Sequence, residues 1–209
     1  MELIVFIQNP GFQKKNLIIR ISLSRSVKRD NNKMNLIFER VFQSEYLKIE
    51  TIYEIIKRCG ENMFLTNGLM HWKNPYPIEN IKKDCQENEV FLVYDALLNK
   101  AVHTFQLEFN YGETTESKLE IEKLKQNTPS KIIYINKFAT YPEFSGKGIG
   151  KQSIDFIENY SLARGVSILR LDVYNKSTHA IQFYKKNGFS IIRKKPTKHF
   201  FVFEMEKKI

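Results

Sequence analysis

Apolar and polar positions along this chain follow two different periods, and each change of period marks a new element. Runs dense in β-branched and aromatic residues at 34–41, 90–95, 101–109, 132–140 and 168–174 predict strands. Two more, at 189–194 and 199–206, close the series around Pro196. Ser44 predicts an N-cap for a helix over 45–59, with Leu47, Ile49, Ile52, Tyr53, Ile55 and Ile56 as its apolar face and Gly60 as its stop. A shorter helical piece then runs to Gly68, and Pro77 suits the first position of a helix ending near Glu87. Leu97-Leu98-Asn99-Lys100 reads as a hairpin turn. Helices over 148–164, with Ile154, Ile157 and Ser161 on one side, and over 178–187 are stopped by Gly165 and Gly188. A strand-helix-strand unit crosses over right-handedly, so the strands at 132–140 and 168–174 are expected to lie parallel. The charged connection from Asn110 to Lys131 carries a capping-box pattern at Ser117–Glu120, and reads either as a lid or as a solvated excursion.

The densest stretch follows the strand at 132–140, where Ser145-Gly146-Lys147-Gly148-Ile149-Gly150-Lys151 separates a strand from a helix. Alternate glycines here predict main-chain N–H groups converging in front of a helix start. With the positive end of the helix dipole and the side chains of Lys147 and Lys151, they make a phosphate cradle. Two familiar cradles are excluded by spacing. Gly150-Lys151 is followed by Gln152 and lacks the upstream glycine of a nucleotide-hydrolase loop, and Lys151 occupies the third glycine position of a dinucleotide fingerprint.

The stretch resembles the coenzyme A loop of the GNAT superfamily of acetyl-CoA-dependent N-acetyltransferases, whose Gln/Arg-x-x-Gly-x-Gly/Ala pattern falls on Ser145, Gly148 and Gly150. The resemblance continues through Leu171-Asp172-Val173-Tyr174-Asn175 and through Ala180-Ile181-Gln182-Phe183-Tyr184-Lys185-Lys186-Asn187-Gly188-Phe189. Ser145 stands where relatives carry a long donor, and Ser177 where many carry Asn. It implies an α/β fold with a mixed central sheet flanked by helices, whose parallel strands splay after Thr140 and Tyr174 to form the CoA cleft. It further implies that Phe138, Ala139 and Thr140 meet the pantetheine arm, that Gly146, Lys147, Gly148, Ile149, Gly150 and Lys151 hold the pyrophosphate with Ser145, and that Asn175, Ser177, Ala180 and Tyr184 complete the cofactor contacts. By the same resemblance the helix pair after Ser44 flanks the acceptor. Trp72 and Tyr76 would line that site, or simply pack over the helices.

Composition narrows the alternatives. A chain of 209 residues, 42% hydrophobic and 27% charged, can bury a substantial core, and its apolar runs are too short for a membrane helix. Cys59 and Cys85 are neither zinc-spaced nor a disulfide framework, and with no secretory pattern at Met1–Ile7 they point to the cytoplasm. The net charge of +10 raises nucleic acid as a partner, but half of it sits in residues 1–33 and no aromatic-interleaved basic stripe follows. Positive excess also suits a polyanionic coenzyme. Residues 1–33 read either as an appended leader, with a domain over 34–209, or as an extra edge strand near Leu17–Leu23. A homodimer is left open.

The chemistry implied is acetyl transfer from acetyl-CoA to a primary amine of a small molecule or peptide, in a ternary complex and without metal. Tyr184 is the implied proton donor to the departing sulfur: a phenol with pKa about 10 is protonated at neutral pH beside a thiol of about 8.5. An amine of pKa about 10.4 is neutral in about one molecule per few thousand at pH 7, a handicap of about 4–5 kcal/mol, so a base is needed. Glu108, Glu143, His103 or a water chain are the candidates, and the strand carrying Asn136 offers no acid. The alternative is a catalytically weak CoA-binding or sensing module of the same fold.

Overall fold

A computed structural model describes residues 18–19, 34–72, 76–110 and 132–209. The predicted short helix near Ser117 and most of residues 1–33 lie outside the described residues. Packing divides the chain into two compact units, Met1–Gln106 with Lys137–Gly150, and Leu107–Asn136 with Lys151–Ile209.

In the first unit the strands follow the order β1 (Ile18–Ile19), β2 (Leu36–Val41), β3 (Glu89–Asp95), β4 (Lys100–Asn110), and the end of β5 (Ile132–Thr140). β1 adds antiparallel to β2 through Ile18↔Glu39 and Ile19↔Phe38, and β2 pairs with β3 from Leu36↔Asp95 to Val41↔Val90. Helices α1 (Tyr46–Asn67) and α2 (Ile78–Glu87) pack against this unit through Ile49, Ile52, Ile55, Ile56, Ile81 and Cys85, which meet Val41, Val90, Leu92 and Ala139. The β3–β4 turn is held by Asp95 Oδ1, which accepts from the N–H of Leu97 and, more weakly, Leu98, while Asn99 adopts φ 47°.

The structure corrects the sequence reading of α1. It begins after Glu45, not Ser44, and passes through Gly60 to end at Gly68, whose φ of 62° is the left-handed cap. Gly60 is a notch: a Cβ there would stand 2.9 Å from Trp72 Cε3. A close approach and a helix stop both call for glycine, and only packing distinguishes them.

In the second unit the order is β5, β6 (Ile168–Tyr174), β8 (Phe201–Lys208), β7 (Ser190–Pro196). β5 and β6 are parallel, as the crossover through α3 (Ile149–Leu162) requires, and the remaining pairs are antiparallel. Ile154, Ile157 and Ser161 are all fully buried on one side of α3. Helix α4 (Thr178–Lys186) leads to Gly188 at φ 88°, and Thr197 closes the β7–β8 turn onto Phe200.

Candidate active site

The glycine turn is built from its entry onward. After Thr140, the Tyr141 N–H donates to Val102 O at 3.0 Å, a single 3₁₀ turn at Pro142–Phe144 buries Phe144, and the Ser145 N–H returns to Pro142 O. Gly146 and Gly148 then take φ of 75° and 78°, the left-handed region, with open space where a Cβ would stand. Glycine is needed there for its backbone, not for room. Gly150 differs, lying in the first turn of α3 without a positive φ. Among the described residues no turn or loop carbonyl accepts from the main-chain N–H of residues 146–150. Since the first amides of any helix lack intrahelical partners, the segment presents a run of free donors at a positive dipole end.

The side chains around the turn are more committed than the sequence implies. Lys147 Nζ lies 4.8 Å from the Phe144 ring centroid, and Lys100 Nζ lies 5.2 Å from the same ring. Lys151 is ion-paired with Asp155 one turn along α3. Arg58 on α1 grips Glu143 with two hydrogen bonds of 3.1 and 3.2 Å and lies over the Tyr141 ring. A backbone hydrogen bond within Glu143 itself, and then Arg58 and Lys100, hold the Glu143 carboxyl below the usual range, which weakens it as a base.

At β5 the alternation of faces breaks. Asn136 donates to Glu108 at 3.0 Å and Lys137 to Gln106 at 3.0 Å, so two consecutive side chains meet residues that share one face of β4. This is a bulge, and Lys137 carries it at φ 48°. Past it the phase is reversed: Phe138 stacks edge-on with His103 at 4.4 Å, and Ala139 faces the helices. His103 is fully buried, with Nδ1 2.8 Å from Thr140 Oγ1 and Nε2 without a hydrogen bond. Burial pushes its pKa down to about 3, against a smaller upward pull from the Ala139 backbone, so it is a neutral support for the Phe138–Thr140 segment. Glu108, the other candidate base, is exposed.

In the second unit the parallel ladder runs only from Ile132↔Ile168 to Tyr134↔Arg170, while β6 continues to Tyr174 in full register with β8. β6 beyond Arg170 therefore has no β5 partner, which is the splay expected of the fold. Beyond it the Asn175 N–H donates to Phe201 O, the Ser177 N–H donates to Tyr174 O, and Ser177 precedes α4 without a side-chain cap; Ala180 is half-buried in the first turns. Tyr184 is 8% exposed, its ring edge-on to Phe183 and Phe189. Trp72 packs into the core of the first unit while Tyr76 is 47% exposed, so of the two only Tyr76 keeps a free face.

Sequence reasoning passed over two features. Lys137, near Asp84, was signalled only by the polar pair Asn136-Lys137 interrupting an alternating run. Glu204, 1% exposed, accepts from Arg193 and Tyr134 and lies 3.5 Å from Lys195, and nothing in its local sequence marks it.

A mixed sheet with one parting parallel pair, and a left-handed glycine turn ahead of the crossover helix, define an α/β acyltransferase architecture. The chain belongs to the acetyltransferase (GNAT) family, whose model matches residues 49–189. Solved structures share the fold at low identity. The ribosomal-protein-S18-alanine N-acetyltransferase from Escherichia coli is 14% identical with a TM-score of 0.59, over 83% of this chain and 94% of that one. The PaiA N-acetyltransferase from Thermoplasma acidophilum, in complex with coenzyme A, is 16% identical with a TM-score of 0.61, over 84% and 100%. A spermidine N-acetyltransferase SpeG chimera from Vibrio cholerae and hSSAT is 16% identical with a TM-score of 0.58, over 83% and 95%. Among the described residues no group of side chains is arranged to hold a metal, and no helix is long and apolar enough to cross a membrane.

Proposed function

We propose that the protein transfers an acetyl group from acetyl-CoA to a primary amine of a small molecule or peptide, directly within a ternary complex. The observation that carries this reading is the run of unpaired amides at 146–150, opened by left-handed Gly146 and Gly148 and followed by the start of α3. Such donors suit a diphosphate, and their backbone origin makes the absence of a long side chain at Ser145 tolerable. Main-chain groups at Phe138 and Ala139 would take the pantetheine arm as a further strand, with Thr140 beside them and Asn175, Ser177 and Ala180 contributing the remaining contacts. The amine attacks the thioester carbonyl carbon, the C–S bond breaks, and Tyr184 protonates the departing sulfur. The amine's own proton leaves to water or to a carboxylate; with His103 buried and Glu143 held by Arg58, the relay through water or Glu108 is the better supported route.

The test is thiol release over an amine panel combined with calorimetric CoA binding. Tyr184→Phe is expected to cut turnover by about a hundredfold, as for loss of a general acid, while CoA affinity changes little. Gly148→Ala, forced into an unfavourable φ, is expected to weaken CoA binding. Undiminished turnover in Tyr184→Phe would remove that residue from the mechanism. Tight CoA binding without turnover on any amine would favour a sensing module, the reading to which the near-burial of Tyr184 lends weight.

A further inference from the structure

Lys137 stands out among the described residues as a side chain held at a cost with no use in the scheme above. It is one of two residues other than glycine at positive φ, and the other, Asn99, is of a type that tolerates it in a turn. Glycine or asparagine at 137 would relieve the backbone, so what lysine contributes is its ammonium. That ammonium is carefully surrounded. Gln106 Oε1 accepts from Nζ at 3.0 Å, Asp84 Oδ2 is ion-paired with it at 2.7 Å, and the Tyr76 ring centroid lies 5.1 Å away. An ammonium has three N–H donors; Gln106 and Asp84 take two, which leaves one, beside the Tyr76 ring, for a ligand. The Lys137 side chain keeps 17% exposure, and Tyr76, over whose ring it lies, is 47% exposed.

We propose that Lys137 determines the acceptor class: its fixed ammonium, backed by Gln106 and Tyr76, receives an anionic group of the amine acceptor, so that amines bearing a nearby carboxylate are preferred over polycationic amines. This rests on the transferase reading above, in which Phe138 and Ala139 hold the thioester arm. At the rise of a strand, Lys137 lies within about 7 Å of that segment along β5, which suits a group a few bonds from the reacting amine. The whole chain points the same way. A net charge of +10 repels polycations at long range, and a lysine on the acceptor wall repels them at short range. Asp84 tempers the charge without consuming the free donor, and its removal should strengthen the preference.

The test uses the full chain, saturating acetyl-CoA and matched acceptors: β-alanine against β-alaninamide, γ-aminobutyrate against its amide, and spermidine as the polycation. The ratio of kcat/KM for carboxylate over amide is expected to be about tenfold, the value of one charge-assisted hydrogen bond. It should fall toward unity in Lys137→Gln, persist in Lys137→Arg and rise in Asp84→Asn, opposed shifts that a merely structural role would not produce. If Lys137→Gln does not fold, Asp84→Asn and Lys137→Arg carry the test. Equal ratios in the natural chain and Lys137→Gln, no rise in Asp84→Asn, or a preference for spermidine would overturn the proposal. Absence of thiol release with every amine would count against the transferase reading instead. β-Alanine is then titrated into CoA-saturated protein by calorimetry: binding that is lost in Lys137→Gln supports the role of Lys137, and no binding to the natural chain overturns it.

Discussion

His103 shows how far a residue's chemistry is decided by its surroundings. In sequence it lies on a predicted strand and is a candidate base. In the fold it is sealed between Phe138, Phe105 and Thr140 and kept neutral. Because burial lowers its folded pKa to about 3 from an ordinary 6.5, the unfolded chain takes up a proton below pH 6.5 that the folded chain refuses. Stability should therefore fall as pH drops from about 6.5 toward 3, by at most about 1.4 kcal/mol per pH unit for this one group. Urea unfolding at pH 7, 6 and 5 measures that slope, and His103→Gln should flatten it. A slope unchanged in the variant would mean that the imidazole reaches water. Glu204 adds its share further into acid. Burial pushes its pKa up, but hydrogen bonds and charges from Arg193, Lys195 and Tyr134 outweigh that and hold it down, so its contribution is lost as pH falls through the lowered value.

Elements obey local signals until packing outweighs them. The capping residue, spacing and stop assigned to α1 were plausible by propensity, yet the helix continues through position 60, which is glycine because Trp72 occupies the space a side chain would need. Gly60→Ala sets the two effects against each other. Ala gains about 1 kcal/mol of helix propensity, while overpacking against an indole costs about 1–3 kcal/mol, so a net loss of about 1 kcal/mol is expected in the urea midpoint. A stabilised variant would show that Trp72 shifts freely. β5 teaches the same lesson in a strand. Its β-branched start was legible, but the bulge that turns Asn136 and Lys137 to one side depends on their partners Glu108 and Gln106, about thirty residues away in sequence.

Across the whole molecule, charge sets the partners that approach. A chain at +10 should bind polyanionic CoA with an affinity that declines by about tenfold between about 0.05 and 0.5 M NaCl, through screening of long-range attraction. Calorimetry at graded salt checks this, and a flat response would assign recognition to the turn's amides alone. By itself the sequence determined the succession of strands and helices along the chain, the parallel return of β6 after α3, and the placing of a glycine turn where a helix begins, since period, crossover handedness and glycine spacing are local or nearly local properties. Which side chains stay available for chemistry was decided only in three dimensions. Arg58 claims Glu143, burial neutralises His103, and Lys137 gains its setting from Asp84, Gln106 and Tyr76. Those outcomes depend on which partners the fold brings within a few ångströms, and distance along the chain carries no record of that.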